Sequence, residues 1–147
     1  MSWPDDPFEP CPVAFTVDHG DRIALGDCEF LVHHLPGHTW DGMALQLGRD
    51  YFAIAPILPL GSAGWCDAHW GSNFLDYLES LELLRSFLPC RVFPSHGPPF
   101  QLTAEMLDKT AENIRLIAQA EFGGNLDAPG KRAPRRDPSQ QPRVIRL

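Results

Sequence analysis

The sequence has no C-x-x-C pair and no apolar run near the ~18 residues needed to cross a bilayer. It also has no basic segment leading into an apolar stretch after Met1. Each absence removes a class of protein. The four cysteines, Cys11, Cys28, Cys66 and Cys90, are spaced too widely and irregularly for a disulfide framework or a zinc knuckle. Reduced thiols in a cytoplasmic protein with no membrane contact are therefore expected. Positive charge is also short: 12 Lys and Arg stand against 19 Asp and Glu, for a net charge of −7. The chain as a whole has no electrostatic reason to bind nucleic acid.

The 147 residues suit one domain, and 44% hydrophobic residues are enough for a packed core. Many of the 15 prolines fall towards the two ends. The expected division is a loose leader over 1–14, a folded region over 15–122 and a disordered tail over 123–147. That tail is basic, with Lys131, Arg132, Arg135, Arg136, Arg143 and Arg146.

Short apolar or alternating runs between Gly- and Asp-containing turns predict strands at 15–17, 22–25, 28–34, 43–47 and 51–58. The last is almost wholly apolar and reads as buried on both faces, with Pro56 ending its ladder. Residues 60–72 form a long irregular loop carrying Cys66, Asp67 and His69, either a substrate-facing wall or a packed Ω-loop. Ser72 or Asn73 caps a helix whose stripe is Phe74, Tyr77, Leu78, Leu81, Leu84 and Leu88, stopped by Pro89. Val92-Phe93 is a short strand leading to His96. Thr103 caps a second helix facing inward through Met106, Leu107, Thr110, Ile114, Ile117 and Ala118, and Gly123-Gly124 ends it.

Two histidines carry the chemical interest. Leu31-Val32-His33-His34-Leu35-Pro36-Gly37-His38 delivers His38 through a Pro-Gly turn after an apolar run. Val92-Phe93-Pro94-Ser95-His96-Gly97 delivers His96 in a similar way. Proline limits φ and glycine permits a bend that a Cβ would oppose, so each turn can aim an imidazole. Zinc accepts imidazole nitrogen and wants three or four ligands aimed at one point.

Pro36-Gly37-His38-Thr39, then Tyr77-Leu78-Glu79-Ser80-Leu81, then Ser95-His96-Gly97 resemble the C-terminal half of the metallo-β-lactamase-fold hydrolases. The glyoxalase-type zinc hydrolases are the nearest group. Ser95 stands where that family usually has glycine. The resemblance spans residues 15–101 and implies an α/β fold: half of an αββα sandwich, one mixed sheet with two main helices. It implies that His38 completes a three-histidine site for one zinc and that His96 binds a second. It also implies hydrolysis of thioesters or other small esters by a metal-bound hydroxide, whose parent water drops to a pKa of about 7.

Two departures follow from the same alignment. Ile54 and Ala55 stand in the positions of a Gly-Asp pair, so the aspartate that bridges both metals is missing. The family's HxHxDH motif, which lies in its N-terminal half, is absent from the chain. The expectation is a hydrolase-like protein that is incomplete and inactive alone; the alternative is a non-catalytic remnant or interaction module. Asp41, Asp67 and His69 are the candidate substitute ligands. His33 and His34 fall on opposite faces of their strand, with His33 read as a sheet residue. Thr39 and Asp41 are expected to hold the His38 turn by hydrogen bonds. Half a sandwich should leave an apolar face bare, such as the one carrying Phe52 and Ile54. Self-association, or pairing with a complementary N-terminal half, is then expected. A small-molecule substrate is expected only where the site is completed.

Overall fold

The computed structural model describes residues 12–49, 51–54 and 71–147. Its strands are β1 (Arg22–Leu25), β2 (Cys28–His34), β3 (Met43–Leu47), β4 (Tyr51–Ile54), β5 (Cys90–Pro94), β6 (Phe100–Leu102) and β7 (Val144–Arg146). Its helices are α1 (Phe74–Arg85) and α2 (Ala104–Phe122). The strands form one mixed sheet in the order β6-β5-β4-β3-β2-β1-β7. The β4–β5 and β1–β7 pairs are parallel and the other four are antiparallel. β2, β4 and β5 therefore all run the same way, so their C-terminal ends lie at one end of the sheet.

The helices begin where side-chain oxygens meet the free amides of the first turn. Asn73 accepts from the Asp76 amide, and Thr103 accepts from that of Met106. Gly123, at φ 60°, ends α2 in the left-handed region. α1 stops at Arg85, earlier than its apolar stripe suggests, with Ser86 as C-cap. Phe74, Tyr77, Leu81 and Leu84 of α1 and Leu107, Ile114 and Ala118 of α2 are buried in one core with Ala44, Phe52 and Val92 of the sheet. Each large side chain so buried contributes about 1.5–3 kcal/mol.

The covered side of the sheet is thus the one carrying Phe52, whose exposure is 0%. This corrects the expectation that Phe52 lies on a bare face. Alternation puts Phe30, Leu45, Leu47 and Phe93 on the opposite side; Phe93 is 41% exposed and the other three are half-buried. The strand expected at 15–17 is irregular chain. β1 has β2 on one edge and β7 on the other, so that segment finds no free ladder beside it.

The larger correction concerns the tail. Residues 123–147 are not a disordered extension but a strap packed across the molecule. β7 adds to the sheet, and two aspartates with 0% exposure hold the segment before it. Asp21 accepts from Arg136 Nη1 at 2.7 Å, Arg143 Nη2 at 2.6 Å and the Arg143 amide at 2.8 Å. Asp76 accepts from Arg132 Nε at 2.6 Å, Arg135 Nη2 at 2.8 Å and the Ala133 amide at 2.6 Å. A buried carboxylate is costly without cations and donors around it, and the strap supplies both. Burial alone would raise the Asp21 pKa; the hydrogen bonds from Arg143 and Arg136 outweigh it and hold the carboxyl far below its usual range.

Candidate functional site

His38 follows β2 and His96 follows β5, and those strands end at the same end of the sheet. β3 and β4 lie between them, so the two strand axes are about 14 Å apart. His38 is half-buried and His96 is exposed.

The His38 turn is built into the core. Gly37 has φ 140°, and a Cβ there would sit 2.4 Å from the Tyr77 Cα atom, so α1 crosses where only glycine fits. Helix α1 and the residues before it then grip three successive carbonyls. Ser80 Oγ donates to Pro36 O at 2.7 Å, the Asn73 amide to Gly37 O at 2.9 Å, and Ser72 Oγ to His38 O at 2.5 Å. The Leu35 amide closes the base of the turn on Gly42 O at 2.7 Å. On the far side, Trp40 Nε1 donates to Lys131 O of the strap at 3.0 Å. Thr39 takes part through its backbone oxygen, which accepts from the Gly37 amide at 3.1 Å. The side-chain hydrogen bonds expected of Thr39 and Asp41 are replaced by those of Ser72 and Ser80.

The His96 turn is different. Ser95 through Pro99 are all exposed, and a Cβ on Gly97 would meet nothing within 4 Å. The turn joins β5 to β6, a strand that the sequence reading missed.

His33 and His34 have other roles. His33 is 5% exposed; its Nε2 donates to Gln46 Oε1 at 2.6 Å and its ring packs 5.0 Å from Phe87. Its Nδ1 is buried without a partner. Burial pushes the His33 pKa down, with the Gln46 bond opposing, which favours the neutral ring. His34 Nε2 donates to Trp40 O at 2.5 Å, and the His34 amide donates to His19 Nδ1 at 3.3 Å. His19 is also pushed down, first by burial and then by its neighbours His33 and His34.

A cavity of about 230 Å³ lies beside the His38 turn, lined by residues including His19, His34, Trp40, Asp41, Arg135 and Arg136. Neither His38 nor His96 lines it. The strap forms one wall through Pro134, Arg135 and Arg136, so the cavity exists only because the tail is ordered.

Among the described residues, no group of three or more His, Cys, Asp or Glu side chains could hold a metal ion. The described residues by themselves therefore supply no set of three donors for a zinc ion. Ala55, Cys66, Asp67 and His69 lie outside the described residues, as does Cys11. Cys28 is exposed and Cys90 is buried. No helix among the described residues is long and apolar enough to cross a membrane.

No family model matches the sequence. The Beta-lactamase-like protein 2 homolog of Caenorhabditis elegans is 30% identical over 99 residues, which make up 66% of this chain and 32% of that protein. The chain thus spans about a third of its curated relative, which it covers to 32%. Among solved structures, TTHA1623 in a di-iron-bound form is 34% identical with a TM-score of 0.54, covering 65% of this chain and 46% of that one. ETHE1 from Myxococcus xanthus is 26% identical with a TM-score of 0.57, covering 77% and 52%. The metallo-β-lactamase from Staphylococcus aureus is 20% identical with a TM-score of 0.54, covering 78% and 46%, and speaks for the fold alone. With these matches, the mixed sheet and its two helices, the chain carries part of the metallo-β-lactamase fold.

Proposed function

We propose that the chain is a metallo-β-lactamase-fold hydrolase-like protein that brings His38 and His96 to a metal site it cannot complete alone. In the completed assembly the reaction is zinc-dependent hydrolysis of a thioester or other small ester. One observation carries this reading: two Pro- and Gly-framed histidines follow strands that end together, yet no third donor joins either among the described residues. A single imidazole per metal leaves the remaining positions to water, and affinity is then too low to hold a catalytic ion.

The missing donors come from a complementary polypeptide carrying HxHxDH, docked on the sheet face opposite the helices. The half-buried Phe30, Leu45 and Leu47 and the exposed Phe93 support that choice. A second reading is a non-catalytic remnant, favoured by Ile54 and Ala55 in the positions of the bridging Gly-Asp pair.

Thioester hydrolysis separates the two. The chain alone should show no zinc-dependent turnover. Adding a polypeptide with HxHxDH should restore turnover with wild-type chain and not with His38→Ala. No turnover in any mixture leaves the remnant reading. Turnover by the chain alone overturns both.

A further inference from the structure

We propose that the C-terminal strap is the outer brace of the His38 turn, anchored by Asp76 and transmitted through Asn73 and Trp40. Only the consequence for a metal rests on the proposed role of His38; the brace is a property of the fold.

Asn73 is the junction. It is fully buried, and its groups reach three parts of the chain. Its amide holds Gly37 O at 2.9 Å, and its side-chain oxygen caps α1. Its Nδ2 donates into the strap, to Gly130 O at 2.9 Å and Asp127 O at 3.1 Å. The strap returns the contact, with the Gly130 amide donating to Ser72 O at 2.8 Å. Ser72 is the residue that holds His38 O. One residue further along, Lys131 O takes the Trp40 indole, which fixes the other side of the same turn.

Residues 127–131 are held by the Phe74 amide on Ala128 O at 2.8 Å and, on their far side, by the charge cluster that follows. Arg132 and Arg135 converge on buried Asp76 and on Glu79, both on α1. The arginines are 38% and 45% exposed, whereas Asp76 is 1% exposed at its side chain. Removing both cations leaves a buried carboxylate with the Ala133 amide as its donor from the strap. The strap would then lose its charged hold on α1 and keep only the backbone bonds to its first turn, so the peptides bracing the turn would open more often. β5, β6 and the His96 turn share none of these contacts, so the effect should be confined to one histidine.

Amide exchange on the full chain tests this. Arg132→Gln with Arg135→Gln should speed exchange of the Leu35, Gly37 and Asn73 amides about tenfold or more, with the β4–β5 ladder unchanged. Trp40→Phe, which removes the Lys131 contact and keeps an aromatic ring, should raise the Gly37 amide alone by a smaller factor. Arg132→Lys with Arg135→Lys should restore part of the protection, since an ammonium still pairs with Asp76. Unchanged turn amides, or a uniform rise across the sheet, would overturn the brace. A zinc titration of the chain together with an HxHxDH polypeptide, followed at the His38 ring, separates the two claims. If zinc leaves that ring unperturbed in wild type and variant alike, the metal role of His38 fails while the exchange result stands.

Discussion

Pro36-Gly37-His38 and Pro94-Ser95-His96-Gly97 both end an apolar strand at the same end of the sheet, yet their surroundings have little in common. The first is gripped at three successive carbonyls by Ser80, Asn73 and Ser72, and pressed against Tyr77. The second is exposed from Ser95 to Pro99. A Pro-Gly setting is therefore only an opportunity to aim a histidine. Rigidity comes from groups far away in the chain, such as Ser72, 34 positions from His38, and Lys131, 91 positions from Trp40.

The comparison can be broken most sharply at its glycines. Gly37→Ala should cost about 3 kcal/mol or more, because the new Cβ meets Tyr77 backbone and φ is left-handed. Gly97→Ala should cost about 1–2 kcal/mol, since φ 94° is strained but the space is open. Urea unfolding of both variants measures the gap. Equal losses would mean that the two turns are held alike.

Next in size is a pH effect confined to the His38 side of the molecule. His33 has a depressed pKa in the folded state, with burial as the main cause. Above about pH 6.5 both states are neutral at this residue and its stability contribution is complete. As pH falls below that value the unfolded chain takes up a proton first. Stability then drops by up to about 1.4 kcal/mol per pH unit until His33 itself protonates. His33→Gln should flatten this slope in thermal melts between pH 5 and 6.5. Asp21 acts much lower: its contribution is present above about pH 4 and lost in stronger acid.

Ser80→Ala, which leaves Pro36 O without its 2.7 Å donor, should cost about 1–2 kcal/mol. Ser95→Ala, in the exposed turn, should fall within about 0.5 kcal/mol of wild type. Chemical denaturation resolves both.

Much of the sheet was legible from the sequence because its strands alternate and its turns carry Gly and Asp. The two helices were legible from Asn73, Thr103 and three- and four-residue apolar steps. The strap was not. Its prolines and arginines have the composition of a solvated tail, and what orders them lies elsewhere, at Asp21 and Asp76. Asp21 reads as a turn residue after Gly20, and Asp76 as a first-turn helix acid favoured by the dipole. Nothing local distinguishes either from an exposed carboxylate. β6 and β7, at three residues each, are too short for a period to register. His38 and His96 were legible as a pair through their Pro and Gly neighbours. The unequal bracing of the two turns was not, because it depends on Ser72, Asn73, Ser80 and Lys131.

On the proposed reading, the chain offers one histidine to each of two metal positions and does not hold a catalytic ion by itself. Equilibrium dialysis of the purified chain against zinc at neutral pH, with metal counted per chain, tests that most directly. The predicted result is no zinc retained in stoichiometric amount, and no difference between wild type, His38→Ala and His96→Ala. Retention of about two zinc ions per chain, lost in both variants, would contradict it.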